Sequence, residues 1–586
     1  MQQYQDMPRI RFLKRIILAA LGLIVVRLFF IQVIEHNYWV NKAVGQQTLL
    51  ETIVAKRGDI YMMEGDEPVK VVMNQTTYSI IIDPQITKKD ELKELLEKYA
   101  SDYITADIDA VYEVEGLRYS IVAKNIPRDL ATKISEEKVG GIWFKEGNKR
   151  VYPEGEMAAQ ALGFVNEDGV GQYGIEGALN EQLAGKNGLL KTISDVNNIA
   201  LSIGNDNVKI PAVDGEDVVL TLNRGLQKKT EEILADAVAN NPDGATNAAA
   251  IIMDPNTGEV LTMASVPTYN PAKYDKVEDW TSYLNYVTEI PYEPASVCKT
   301  FVFAAALNEG VMTPDSTYYN TGSTVVETAT INNASKDAVV YGTINMRTAL
   351  NWSLNTGSIQ ALKWLGGDSE NVNETGREKL YDYYQRFRLG QPTGIEVAEA
   401  TGIVHSPNEE GLYAPNLVYA EMTFGQGTSL TMIQVASAFS SIINGGYMIT
   451  PTMIKGTMQN GKLISEPYDG KDDGQVITSD TSATMRQMLH DTRSLYWKKD
   501  NPGYYLGGKT GTGQVYLEEY GRYSEPDGET TATYLGFGGV EEELPKYVIM
   551  VKMWGKGQHV EAGTTKNVFD EISDATIDYL KIKPRE

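Results

Sequence analysis

The chain has 586 residues, too many for one hydrophobic core, so two or more domains are expected. Its net charge of −25 has the wrong sign for broad nucleic-acid binding, which needs a basic surface. A single cysteine, Cys298, excludes an intramolecular disulfide framework, and the four histidines, His36, His405, His490 and His559, stand at no metal-ligand spacing, so neither a metal site nor a cofactor is expected.

The first element decides the compartment. Residues 16–34 are strongly apolar, interrupted only by Arg27 and Gln32, and are about long enough to span a bilayer. Arg9, Arg11, Lys14 and Arg15 precede the segment, while Glu35, His36 and Asn37 follow it. The positive-inside rule predicts a cytoplasmic N-terminus with the rest of the chain outside. No small-residue cleavage site follows, which predicts an uncleaved anchor. Arg27 has two readings, snorkelling to the outer interface or a polar contact with another membrane protein.

From Thr48 to about Pro211, short β-rich runs alternate with polar turns. Residues 78–84 read as a strand and residues 89–99 as a charged amphipathic helix. No pair of catalytic candidates occurs in this stretch, which predicts a structural or interaction module. Residues 218–222 read as a strand and residues 226–239 as an amphipathic helix. Residues 248–265 read as a hairpin turning at Asn256-Thr257-Gly258, its first strand continuously apolar as a buried central strand would be. Pro294 suits the first turn of a helix, and the apolar run after Lys299 predicts a buried helix ending near Gly310. The chain then reads as largely helical to about Asn444, where Gly445-Gly446 is a stop. Strands are predicted at residues 508–515, 533–538 and 547–553, and a last helix at residues 568–580. Strands at both ends with helices between imply an α/β domain whose sheet is completed by distant segments. Residues 516–529, rich in Glu, Tyr and Gly, read as a solvated acidic loop, with a substrate-reading lid as the alternative.

Three short motifs inside that domain carry chemistry. Ser296-Val297-Cys298-Lys299 puts a hydroxyl and an amine on one helical face near the helix's positive end. Serine needs a base to become a nucleophile, and a lysine serves if burial lowers its pKa. Ser353-Leu354-Asn355 follows at a predicted helix–loop junction. Lys509-Thr510-Gly511-Thr512 lies on a predicted strand whose glycines allow a ligand backbone to approach closely. Single motifs of this length are weak: Ser135–Lys138 also matches the first and Ser406–Asn408 the second, whereas Lys-Thr-Gly occurs once. The ordered triple is far more specific, being the set found in penicillin-binding proteins and class A β-lactamases.

On these motifs the chain resembles a class B penicillin-binding protein, a membrane-anchored D,D-transpeptidase of bacterial peptidoglycan. The resemblance extends to Arg57-Gly58-Asp59-Ile60, Tyr152-Pro153, Gly174-Ile175-Glu176-Gly177, the Asp254-Pro255 to Thr257-Gly258 hairpin, Phe424-Gly425-Gln426-Gly427 with Thr431 and Gln434, and Asn444-Gly445-Gly446. It departs from the family at Met62-Met63-Glu64-Gly65, at Cys298 and at Gly513, none of which is a predicted proton-transfer group. The resemblance implies a cytoplasmic tail at 1–15, an anchor at 16–34, an elongated α+β pedestal at 35–211 and an α/β penicillin-binding domain at 212–586, with a mainly antiparallel sheet flanked by helices.

It also implies roles for the motif residues. Ser296 would attack the penultimate D-Ala carbonyl of a stem peptide and neutral Lys299 would take its proton. Ser353 would bridge Lys299 to the leaving amine, and Asn355 would hold the substrate amide or orient Lys299. Lys509 and Thr510 would receive the terminal carboxylate, and backbone N–H groups of Ser296 and Thr512 would form the oxyanion hole along the Gly511 strand. Cys298 reads as a small core residue. The implied partners are stem peptides on lipid-linked polymer, β-lactams as covalent inhibitors, and a SEDS-type glycan polymerase met through the anchor and pedestal. A division role is favoured over elongation by length and by the compact pedestal. The competing readings are a non-catalytic scaffold or penicillin sensor, and a β-lactamase; the five intact site residues disfavour the first, and the anchor and pedestal disfavour the second.

Overall fold

A computed structural model of the chain describes residues 8–39, 42, 48–193, 208–333, 340–465, 474–496, 502–517, 522–524 and 528–585. Parts of the predicted tail (1–7), of the pedestal (194–207) and of the acidic loop (518–521 and 525–527) lie outside the described residues. The chain forms two compact units, residues 1–56 with 185–215, and residues 57–184 with 216–586.

In the first unit a helix runs over Pro8–Phe29 and tightens into a π-helical turn at Phe30–Ile34. Residues Arg11–Ile34 are long and apolar enough to cross a membrane. Arg27 lies against the Phe30 ring at 5.8 Å, so its charged head rests on an apolar face. A three-stranded antiparallel sheet joins Thr48–Ile53, Gly188–Ile193 and Val208–Ile210.

The second unit contains two large sheets. In the first, the long strand Glu67–Ile82 pairs with Ile60–Glu64, Ser120–Pro127 and Ile142–Val151, which extends the strand predicted at 78–84 towards its N-terminus. Asp217–Asn223 then runs parallel to Ile60–Glu64 and antiparallel to Ile454–Gln459, so the sheet takes strands from both ends of the unit. Helices Lys89–Tyr99 and Arg128–Glu136 cover it through Leu92, Leu95, Leu96, Ala131 and Ile134.

The second sheet has five strands: β1 (Asn247–Met253), β2 (Val260–Val266), β3 (Tyr505–Gln514), β4 (Thr530–Gly539) and β5 (Tyr547–Trp554), in the order β2-β1-β5-β4-β3. Every pairing is antiparallel, as the mainly antiparallel expectation has it. Alternate residues of β5 point to opposite faces. Ile549 and Val551 meet helices α1 (Arg224–Asn240) and α6 (Ala562–Tyr579), while Val548 and Met550 join the core of α2 (Lys299–Asn308) and α4 (Met432–Ile443). Helix α2 is buried on every side from Lys299 to Ala306, as an all-round apolar helix must be. Fully burying a Phe or Val side chain stabilises by roughly 1.5–3 kcal/mol, so Phe301, Val302 and Phe303 anchor α2 strongly. Helix α4 starts at a capping box in which Thr431 and Gln434 satisfy each other's backbone N–H groups.

Two local expectations change. The stretch between Ser296 and Asn444 is less helical than predicted. Thr317–Asn320 pairs with Gly342–Asn345, and Ser323–Val326 with Ala329–Asn332, where Thr, Tyr and Val favour extended backbone. At Pro294 the chain does not enter an α-helix directly. Ala295 has φ of +54°, and Ala295–Cys298 forms a 3-10 turn before α2 begins. The reason is tertiary. The Ala295 N–H donates to Gly425 O (3.3 Å), and a Cβ at Gly425 would stand 2.2 Å from Ala295 O. Only glycine lets these two backbones meet.

Candidate active site

The site forms where that 3-10 turn lies across β3. A Cβ added at Gly511 would stand 2.8 Å from Pro294 O, and one at Gly513 would stand 3.2 Å from the Ala295 Cβ. Gly511 therefore lets the turn that carries Ser296 rest on the strand. Strand β3 is the outermost of its sheet, so one row of its backbone groups faces away from β4. The opposite wall is the turn between helix Met346–Asn351 and α3 (Asn355–Leu365). Ser353 sits in that turn with φ of +54°, a conformation that costs about 1–3 kcal/mol for a non-glycine residue.

Lys299 Nζ is the hub. It lies 3.0 Å from Ser296 Oγ, 2.6 Å from Ser353 O, 3.2 Å from Ser353 Oγ and 2.7 Å from Asn355 Oδ1. The Asn355 amide is oriented by its Nδ2, which donates to Asn332 O at 2.9 Å. Two of the four oxygens around Lys299, Ser353 O and Asn355 Oδ1, are acceptors only. A neutral amine has two N–H groups, which these carbonyls take, leaving its lone pair to the Ser296 hydroxyl. Lysine 509 completes the arrangement: its Nζ donates to Ser353 Oγ at 2.8 Å and to Thr510 O at 3.1 Å. Ser353 Oγ thus lies between the two amines.

Burial sets the charge states. Lys299 and Lys509 are each 1% exposed. Desolvation, and then the charge of Lys509, push Lys299 well below the ordinary lysine range. Burial alone brings Lys509 down to about 7. Burial pushes the Cys298 thiol up, so it is a poor source of thiolate beside Ser296.

The structure brings Ser296, Lys299, Ser353, Asn355 and Lys509 into one bonded group, with Thr510, Gly511 and Thr512 along the adjoining strand. Ser135 lies in the separate helix Arg128–Glu136. Glu293 is a site neighbour that motif reading missed. Its Oε1 accepts from the Gly427 N–H (2.8 Å) and from the Tyr523 hydroxyl (2.7 Å), and burial brings its carboxyl up to about 7. No spacing signals this contact, because Gly427 and Tyr523 come from two distant segments. Lys552 was also missed, although a lysine inside the apolar run of β5 is a visible anomaly.

Residues 248–574 match the family described as penicillin binding protein transpeptidase domain, and residues 52–220 match the penicillin-binding protein dimerisation domain. Penicillin-binding protein PbpB of Mycobacterium tuberculosis is 27% identical over 580 residues, covering 92% of this chain and 79% of that protein. The probable peptidoglycan D,D-transpeptidase PenA of Neisseria meningitidis is 24% identical, covering 98% and 93% of the two chains. The crystal structure of penicillin binding protein 3 from Mycobacterium tuberculosis, complexed with aztreonam, superposes with a TM-score of 0.66 at 22% identity, covering 92% of this chain and 98% of the other.

Proposed function

The chain belongs to the class B penicillin-binding proteins, and on that premise we propose that Ser296 is the acylated nucleophile of its peptidoglycan D,D-transpeptidase reaction. The observation that carries this reading is the hydrogen-bond set of Lys299, whose lone pair is left to the Ser296 hydroxyl 3.0 Å away. Lysine 299 takes the hydroxyl proton as Ser296 Oγ bonds to the penultimate D-Ala carbonyl carbon. Backbone N–H groups of Ser296 and Thr512 receive the negative charge that develops on the carbonyl oxygen. The C–N bond then breaks, and the proton passes from Lys299 through Ser353 Oγ, 3.2 Å away, to the departing D-Ala amine. An acceptor amine attacks the resulting ester, gives its proton back along the same path and leaves Ser296 free with a new amide formed.

Lysine 509 and Thr510 hold the terminal carboxylate of the donor, and Gly511 keeps β3 flat against the nucleophile turn. Asn355 aims Lys299. β-Lactams acylate Ser296 because their strained amide presents the same carbonyl beside a carboxylate. The arginine and lysine residues before the apolar helix favour a cytoplasmic N-terminus and an extracytoplasmic catalytic domain. In this reading the helix and the pedestal meet a SEDS-type glycan polymerase, which supplies the polymer that the transpeptidase cross-links, with a division role favoured.

Covalent labelling by a fluorescent penicillin tests the assignment. Wild type is expected to label and Ser296→Ala is not, with the adduct mapped to the Ser296 peptide by mass spectrometry. An unlabelled wild-type protein, or an adduct elsewhere, overturns it. Slow release of the bound drug separates a transpeptidase from a drug hydrolase.

A further inference from the structure

Strand β5 reads Tyr-Val-Ile-Met-Val-Lys-Met-Trp, and its lysine, Lys552, is 3% exposed. Among the described residues Lys552 Nζ makes no hydrogen bond and no ion pair. It stands instead over two aromatic faces, 4.0 Å from the Tyr292 ring centre and 4.2 Å from that of Trp554. Tyr286 packs edge-on against Trp554 at 5.1 Å and closes the far side. Burial pulls Lys552 down to about 7, and the ring quadrupoles oppose that pull by favouring the cation. A lysine this deep in an apolar strand is a liability for stability, and a methionine of similar length would suit the strand better on packing grounds alone.

The sheet register shows what the lysine lies beneath. Ala249, Lys552, Thr533 and Gly511 are paired in sequence across β1, β5, β4 and β3, forming one row on one face. The nucleophile segment crosses this row. Its Tyr292 ring covers Lys552, its Tyr292 hydroxyl lies 3.2 Å from Thr533 Oγ1, and Pro294 O sits above Gly511. The Tyr292 backbone is held from the other side by paired hydrogen bonds with Leu430 (3.0 and 2.9 Å). The ring is therefore fixed at its hydroxyl by Thr533, and on its face by the lysine. Four residues later comes Ser296.

We propose that Lys552 is a positioning residue for acylation: clamped between Tyr292 and Trp554, it seats the Tyr292 ring on the sheet and so sets where Ser296 stands over β3. The proposal rests on Ser296 being the nucleophile, and the Ser296→Ala control above fails separately from it. Because the lysine touches neither substrate nor the reacting atoms, its removal affects the acylation step more than drug binding.

The test uses the full-length protein and fluorescent penicillin, with the acylation rate constant and the drug's dissociation constant resolved by stopped-flow, and Tm measured alongside. Lys552→Met is expected to keep or raise Tm, to leave the dissociation constant within about twofold, and to slow acylation about tenfold, the size of one partly buried cation–π contact. Lys552→Arg, which keeps the cation, is expected to recover much of the rate. In a double-mutant cycle Tyr292→Leu and Lys552→Met are expected to be non-additive, because both remove the same contact. Acylation at the wild-type rate in Lys552→Met overturns the proposal. So does a parallel loss of Tm and acylation, or failure of that variant to fold, since either makes the lysine a structural support only. Additive effects in the cycle overturn the route through Tyr292.

Discussion

The second unit buries several cations, and two of its clusters treat them oppositely. Under the pedestal sheet, Arg57 and Arg150 both reach Glu176, which is fully buried: Arg57 Nε and Arg150 Nε each bond a different carboxylate oxygen at 2.6 Å. Arg57 also donates to Glu176 O and Asn180 Oδ1, both at 2.9 Å. At the site, Lys299 and Lys509 meet hydroxyls, carbonyls and an amide, and among the described residues no carboxylate. Guanidinium stays charged at any working pH and forks onto a carboxylate, so the first cluster is a fixed strut tying Arg57, Arg150 and Asn180 to one anion. An ammonium facing neutral acceptors in a dry site instead gives up its proton easily. The difference separates a charge kept to hold a fold from a charge removed to do chemistry.

The largest effect expected at the site is that of Ser296→Ala, which should reduce penicillin acylation by on the order of 10⁴-fold or more while leaving Tm unchanged, as read by labelling and thermal unfolding. Lys299→Met should follow, with a loss of roughly 10²–10⁴-fold in acylation. It should also flatten the acid limb of the wild-type pH–rate profile: that rate climbs as pH rises through the depressed Lys299 pKa, because only the neutral amine is a base.

The pedestal cluster should respond in stability instead. Glu176→Ala leaves two buried guanidinium groups without their anion and is expected to cost about 3–5 kcal/mol in denaturant unfolding. Protein that remains folded should still label at Ser296; a selective loss of acylation at unchanged stability would erase the contrast drawn between the two clusters. Lys509→Ala should weaken capture of the substrate carboxylate by about 1.5–3 kcal/mol, seen as a higher half-saturation concentration with a smaller change in acylation rate. In the wild type that capture should weaken as pH rises past about 7, where Lys509 loses its charge.

The smallest effect sharpens the comparison at Lys552. Its folded-state value of about 7 lies below the ordinary 10.5, so the unfolded chain binds more protons between those pH values. Stability from this group therefore rises with pH across that window, and the full burial cost stands below it. The Tm advantage of Lys552→Met over wild type should be greatest at pH 6 and shrink towards pH 10. An advantage that grows with pH would mean that the lysine is not buried as a cation.

Much of the fold was legible. The apolar first helix, the strands of the five-stranded sheet and the helix after Lys299 follow from composition and period, the first from the length of its apolar run and the others because each buries a run that suits one element type. The hairpin of Ser323–Val326 and Ala329–Asn332 lies in a stretch whose sequence reads as largely helical, since short runs without strict alternation carry little period. Helix α5 (Ser479–Tyr496) was not anticipated at all; its apolar residues Met485, Met488 and Leu489 are spaced among many polar ones. The 3-10 turn at Ala295 was also missed, because its cause, the Gly425 backbone, lies in another segment.

By itself, the sequence determined which residues the proposed mechanism draws on: the order of Ser296, Lys299, Ser353, Asn355 and Lys509, the glycines of β3 and the apolar first helix are all written in one dimension. Only the tertiary structure decided what those residues are poised to do. In the proposed mechanism Lys299 is a base because it is buried, because Ser353, 54 residues away, and Asn355 occupy its two N–H groups, and because Lys509 stands on the far side of Ser353. Lys552 is a lone charge in an apolar strand until the register brings Tyr292 over it. Proton affinity and position both depend on desolvation and on groups supplied by distant segments, and no local pattern encodes either.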